Sequence, residues 1–261
     1  MSVFRLVLLS LLVSVPVLAA GAVHLTSWDA TAFASVTLLP DLTPPKGPER
    51  SELVQARLKE RLGPEMVSHF DLFLYVSKSA SGPLAQRMYV FRKQPEGLKL
   101  AYEWTASTGR EKVEVNARGR SVITATPIGY YQLDPRRMYP RYHSTSWDQE
   151  MGNTMFFDWE RAGAQTGLAI HAATGADIAK LGSRASGGCV HLAPDNAATL
   201  YELIQENYRG SVPRFAYDQE TRTSSNQGDL MHDGRGGLRL RDGYRVLVVL
   251  EDFSGEGAAL F

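Results

Sequence analysis

Beginning at Asp71 the sequence breaks into short runs of β-branched and aromatic residues: Leu72-Phe73-Leu74-Tyr75-Val76, Arg87-Met88-Tyr89-Val90-Phe91-Arg92 and Leu98-Lys99-Leu100-Ala101-Tyr102-Glu103-Trp104. Side chains of this kind pack well on a pleated surface, and Lys93 to Gly97 between the last two runs reads as a hairpin loop. Similar runs recur at Tyr130-Tyr131-Gln132-Leu133, Met155-Phe156-Phe157-Asp158-Trp159 and Gly167-Leu168-Ala169-Ile170-His171. Tyr244 to Leu250 is the uninterrupted apolar run of a buried final strand. The body of the protein is therefore mainly β. Two segments break the pattern. Ser51 to Leu62 carries Leu53, Leu58 and Leu62 at helical spacing, with Ser51 as its cap and Gly63-Pro64 as its stop. Asp195 to Tyr208 puts Ala197, Leu200, Tyr201, Ile204 and Tyr208 on one face, with Asp195 or Asn196 as cap and Gly210 as stop. The predicted class is mainly β with one or two flanking helices.

Charge and cysteine usage narrow the function. The 28 basic and 28 acidic side chains cancel, which argues against nucleic acid as a partner, since such binding needs a basic excess to displace counterions. The single cysteine excludes a disulfide within the chain and a four-thiolate zinc site. The first residues have the form of an export signal: Arg5, an uncharged apolar run from Leu6 to Ala20, then small residues through Ala22, with cleavage expected after Ala19 or Ala22. An uncleaved signal would be the one membrane attachment. The expected organisation is a signal at 1–22, a proline-containing spacer and short helix at 23–66, a catalytic domain at 67–217, and a polar loop with a final strand at 218–261 that completes the domain. The expected compartment is the periplasm. There a lone thiol stands out, because exported proteins mostly pair their cysteines or lack them.

Ser183-Arg184-Ala185-Ser186-Gly187-Gly188-Cys189-Val190-His191-Leu192 carries the most chemistry in the chain. Two glycines before a cysteine let the backbone approach a ligand closely and turn its amides toward a developing oxyanion. A thiol also needs a base, and His171 and His191 are both placed to serve. The alternatives are a buried structural cysteine and a metal site built from Cys189, His191 and His171, for which spacing supplies no fourth ligand. No loop that cradles phosphate is present, and no metal, nucleotide or organic cofactor is implied.

Ile170-His171, then Ser186-Gly187-Gly188-Cys189-Val190-His191-Leu192, resemble the active-site signature of the L,D-transpeptidase family, the YkuD or ErfK type. Thr126-Pro127-Ile128-Gly129-Tyr130-Tyr131 is similar to that family's Thr-Pro-x-Gly-x-aromatic strand, and Ser107-Thr108-Gly109 to the Ser-x-Gly that precedes it. The resemblance covers roughly residues 70–216. It implies a β-sandwich-like catalytic domain acting on peptidoglycan stem peptides, with a second stem, a lipoprotein lysine or another amine as acceptor. Carried over by position, it makes Cys189 the nucleophile, His171 the general base, the Ala172 carbonyl the group that orients the imidazole, and the amides of Gly188 and Cys189 the oxyanion donors. It places Ser186, Gly187, His191, Tyr131, Arg141 and His143 on the substrate side.

The departures are Ala172 in place of a glycine, Gly187 where many members carry histidine, and His191 in place of arginine or asparagine. Histidine lacks the planar fork that grips a carboxylate. The expected substitute is a lid formed by Arg136, Arg137 and Arg141 with Tyr139, Tyr142, His143 and Trp147; a plain solvated loop is the alternative. Two other functions stay open: a hydrolase that passes the acyl group to water, and a wall-binding module on the same scaffold.

Overall fold

A computed structural model describes residues 49–256; the expected export signal and residues 23–48 of the expected spacer lie outside the described residues. Helix α1 (Arg50–Arg61) is capped two residues earlier than the sequence suggests, because the Glu49 N–H donates to Glu52 Oε2 at 3.0 Å and Ser51 is already inside the helix. Gly63-Pro64 ends α1, yet Pro64 also opens a second helix, α2 (Pro64–His69), since proline at the first helical position gives up only an N–H that has no partner.

A meander follows: β1 (Leu72–Ser77), β2 (Arg87–Gln94) and β3 (Gly97–Gly109), the last two joined by a tight Pro95-Glu96 turn instead of the longer loop expected. The hairpin of β4 (Val113–Val115) and β5 (Ser121–Ile123) stands apart. Then come β6 (Gly129–Tyr131), β7 (Leu133–Ser144), β8 (Gln149–Phe157), the small pair β9 (Glu160–Arg161) and β10 (Ala164–Gln165), and β11 (Ala169–Ala172). A 3-10 helix (Gly175–Lys180), β12 (Arg184–Ser186) and β13 (Val190–Leu192) lead to α3 (Pro194–Asn207). The chain closes with β14 (Arg209–Pro213), β15 (Tyr217–Asp218), β16 (Thr223–Ser224), β17 (Leu240–Tyr244) and β18 (Val246–Glu251).

The main sheet runs β6-β18-β1-β2-β3-β13-β11-β8-β7, with β12 also paired to β3. It is curled, and β1 and β18 are buried on both faces, which explains why Leu72 to Val76 and Val246 to Leu250 are apolar without alternating. Leu72, Leu74, Val76, Met88 and Val90 point into an inner core closed by α3 and by Ile170, Val190 and Leu192 from the opposite side of the curl. Phe73, Tyr75, Tyr89 and Phe91 point the other way, against Leu53, Val54 and Leu58 of α1. Tyr75 OH donates to Glu251 Oε2 at 3.0 Å, and the same carboxylate holds Arg57 and Arg61, so β1, β18 and α1 are tied at one point.

Three expectations are corrected. The stretch expected as a lid or solvated loop, Arg136 to His143, is strand, part of the β7–β8 hairpin; Pro135 and Pro140 are tolerated because β7 is the sheet's edge. The polar 218–243 segment, expected as a loop, contains the end of β15, all of β16 and most of β17 and is stitched by bridges at Phe215↔Leu230 and His232↔Leu238. Helix α3 buries Ala197, Leu200 and Ile204 as its spacing predicts, but it is capped by Ala193 with Pro194 as first residue, and Gly210 lies in β14. Among the described residues no helix is long and apolar enough to cross a membrane.

Candidate active site

Strand β3 is the platform for the cysteine loop. Ser186 of β12 pairs with Gly109, and His191 of β13 pairs with Ser107, so residues 187–189 leave the edge of β3 and return to it. Gly188 has φ +124°, and a Cβ there would sit 2.9 Å from Ala125 O and 3.1 Å from Leu168 Cδ2. Two hydroxyls lock the turn. Ser186 Oγ accepts the Gly188 N–H at 3.0 Å and donates to Cys189 O at 2.5 Å. Thr126 Oγ1 accepts the Gly109 N–H at 2.8 Å and donates to Gly188 O at 2.7 Å. Thr126 is itself held from behind, its carbonyl by Lys78 Nζ at 2.7 Å and its N–H by Glu111 Oε1 at 3.1 Å. The Ser-x-Gly-Cys and Thr-Pro-x-Gly segments therefore meet, each supplying one hydroxyl to the backbone of Gly188, Ser186 to its N–H and Thr126 to its carbonyl.

The histidines come from the neighbouring strand pair. In the parallel register of β11 and β13, Ile170 faces Val190 and His171 faces His191. Ile170, Ala172, Val190 and Leu192 fill the inner core, so both histidines lie on the opposite face of the sheet, the face that alternation also gives to Cys189 and Ala169. Their rings are 4.5 Å apart between centroids. His171 Nδ1 lies 2.8 Å from Ala172 O; a carbonyl only accepts, so the proton of neutral His171 is on Nδ1 and the lone pair on Nε2. The Cys189 thiol is turned toward Gly167 O at 3.6 Å in this arrangement, so meeting the imidazole requires a side-chain rotation.

Cys189 opens on a cleft of about 260 Å³ walled by Tyr142, Trp147, Met151, Phe156 and Leu168. Trp147 lies across Gly187, where a Cβ would come within 2.7 Å of indole Cε2; the missing side chain is what admits the ring. Arg110 stacks over Trp147 at 5.6 Å while donating to Ala185 O at 2.6 Å and to Glu114 at 2.6 Å.

The other expected substrate residues do not gather here. Tyr131 is buried in the core, stacked on Phe157 with ring centroids 5.0 Å apart. Arg141 is exposed on β7, and exposed His143 is held by Glu150 at 2.7 Å and Asp148 at 3.2 Å; neither lines the cleft. His191 is 3% exposed and does not line it either. Trp147 and Tyr142 are the members of the expected lid that reach the cysteine cleft. Arg110 was missed although it directly follows Ser107-Thr108-Gly109, the one signal the sequence offered for it. Among the described residues no group of three or more His, Cys, Asp or Glu side chains is disposed to hold a metal.

Burial, reinforced by the neighbouring His191, pushes His171 down to about 3, and burial pushes His191 down to about 4. Both rings are neutral at pH 7. Burial also pushes the Cys189 thiol up to about 11, with a hydrogen bond from the Ala169 backbone pulling the other way. The resting pair is thus thiol and neutral imidazole. An unfolded histidine titrates near 6.5, so below that pH the unfolded chain takes up protons that the folded chain refuses, and stability falls as pH drops toward 4. Each histidine adds a slope of roughly 1.4 kcal/mol per pH unit in that window. Melting curves between pH 7 and 4.5 should therefore show a steep loss that His191→Gln makes shallower; a variant that melts as steeply as the parent would show that the rings are not the cause.

A profile of the L,D-transpeptidase catalytic domain, YkuD, matches residues 76–230, more than half of the chain. No curated protein matches it. Similar solved structures include an LD transpeptidase, LdtMt1, in complex with imipenem (16% identity, 70% of this chain and 59% of that one, TM-score 0.38). Others are an L,D-transpeptidase from Mycobacterium smegmatis (13% identity, 70% and 59%, TM-score 0.35) and residues 123–326 of one from Xylanimonas cellulosilytica DSM 15894 (17% identity, 76% and 68%, TM-score 0.36). The chain spans 59% of the length of each of the first two.

Proposed function

We propose, from the premise that this chain belongs to the L,D-transpeptidase catalytic-domain family, that it is a cysteine acyltransferase of peptidoglycan stem peptides working through an acyl-enzyme on Cys189. The observation that carries the reading is the locked turn at Gly188, which presents the cysteine to a cleft of aromatic, aliphatic and hydroxyl side chains while His171 waits on the same sheet face in a fixed tautomer. The thiol leaves Gly167 O and passes its proton to His171 Nε2. Sulfur then attacks the carbonyl of the stem's diaminopimelate residue. The Gly188 amide is committed to Ser186, so charge on the tetrahedral oxygen falls to the Cys189 amide. Collapse breaks the C–N bond to the terminal D-alanine, whose nitrogen takes the proton back from His171. A second stem or a lipoprotein lysine attacks the thioester, His171 removes the amine proton, and the thiol is restored.

The expected signal would deliver the protein to the periplasm, where this substrate lies. A purified disaccharide-tetrapeptide, offered with and without a second stem, tests the reading by mass analysis of products. Cross-linked dimer with release of D-alanine is expected. Tripeptide alone, with the acceptor present, would replace the transferase by a hydrolase.

A further inference from the structure

A stem peptide is anionic at neutral pH, and the cysteine cleft offers it no unengaged cation. Arg110 is committed to Glu114 and Ala185 O, and His191 is buried and neutral. Positive charge accumulates next to the cleft instead. Arg136, Arg214, Arg239 and Arg241, with Asp158 and Glu160, line a depression of about 380 Å³. Asp158 is paired with Arg241, and Glu160 accepts the Tyr217 hydroxyl at 2.8 Å. Among the described residues Arg214 and Arg239 have no ion pair, and Arg136 reaches only Asp134 at 3.8 Å, a carboxylate that already holds Arg137 at 2.7 Å.

Arg214 and Arg239 also meet across β14 and β17: Pro213 faces Leu240, and the Arg214 N–H donates to Arg239 O at 2.8 Å. Like charges directly opposite destabilise a strand pair; Asp233 feels the charge of Arg239 but forms no ion pair with it. Arg241 adds a buried Nε without an acceptor, although its other nitrogens serve Asp158 and Gln132. An anion from outside would relieve the repulsion between Arg214 and Arg239.

The depression and the cysteine cleft share one stretch of chain. Gln165 lines the first, Gly167 and Leu168 the second, and two residues span at most about 7 Å. A four-residue peptide reaches roughly 14 Å when extended, about twice the separation of the two rims.

We propose that the depression lined by Arg136, Arg214, Arg239 and Arg241 is an anion subsite that holds a carboxylate of the stem whose scissile carbonyl lies at Cys189. The proposal rests on the acyltransferase reading above. The same oxyanion chemistry is offered by the phosphate of a lipid headgroup, so the test separates the two sources. KM and kcat are measured for a disaccharide-tetrapeptide with free internal carboxylates and for the same compound with those groups amidated, using the parent protein and Arg214→Gln/Arg239→Gln. Amidation should raise KM about tenfold in the parent. The double variant should show the raised KM for both substrates, with the loss in KM and not in kcat, and a melting temperature no lower than the parent's because a repulsive pair is gone. A double variant that still prefers the free carboxylates, or whose loss falls on kcat, overturns the proposal. So does loss of binding to phosphatidylglycerol vesicles with the stem preference intact, which would assign the site to lipid. Calorimetric binding of the two substrates to Cys189→Ala tests the subsite without turnover. Failure of a carbapenem to acylate the parent would count against the acyl-enzyme and leave that binding result standing.

Discussion

His171→Ala is expected to slow acylation of Cys189 by about 10²–10⁴-fold, the range that a positioned general base supplies. The thiol is held up to about 11, so almost none of it is ionised at neutral pH, and a base must take the proton as sulfur attacks. His171 is equipped for that step by the Nδ1–H to Ala172 O bond, which leaves the basic nitrogen free of the fixed proton. Because burial lowers this ring to about 3, the parent's rate loses its base only as pH falls toward that value. In the variant the rate should instead climb about tenfold per pH unit through neutrality, following the thiolate alone. Stopped-flow acylation by a carbapenem across pH 6 to 9 reads both signatures. A variant within a few-fold of the parent at pH 7 would mean that another group takes the proton.

The second large effect is expected at Gly188. A methyl group there meets a backbone oxygen, Ala125 O, at 2.9 Å and a side-chain methyl, Leu168 Cδ2, at 3.1 Å, in a backbone conformation that side chains rarely adopt. Strain of this kind costs about 1–3 kcal/mol, and the easiest relief is a shift of the cysteine loop. A displacement of about 1 Å at a nucleophile is enough to cost 10²-fold in rate. Gly188→Ala should therefore lose stability and slow acylation about 10²-fold or more. Gly187→Ala is the comparison, since the nearest atoms its new methyl meets belong to the Trp147 ring, a side chain on another segment, and no positive φ is involved. Equal damage from the two substitutions would show that the turn at Gly188 is not what aims the thiol.

The features legible in the sequence are those whose physics is local. Runs such as Leu72 to Val76 declared strands because β-branched and aromatic side chains suit a sheet, and the spacing of Ala197, Leu200 and Ile204 declared the buried face of α3. The glycines beside Cys189 were readable because a turn that spares no room for a Cβ demands them. What failed depends on tertiary neighbours. Pro135 and Pro140 concealed β7, whose place at the sheet edge cannot be seen from its own residues. Tyr131 matched a motif yet serves the core, since only the curl of the sheet decides which face it presents. His191 suggested a weak cation, and its burial beside His171 makes it a neutral ring instead. Of the arginines sought on the 136–141 stretch, Arg136 lines the arginine-rich depression, and Arg214 and Arg239 reach it from segments remote in sequence.

The central claim is that the one thiol of this chain becomes the acyl carrier, and intact mass spectrometry after carbapenem treatment tests it most directly. The parent protein should gain the mass of one opened carbapenem, and Cys189→Ala, folded as judged by its melting curve, should gain none. An adduct that survives on Cys189→Ala, or a parent that stays unmodified under conditions where the fold is intact, would contradict it.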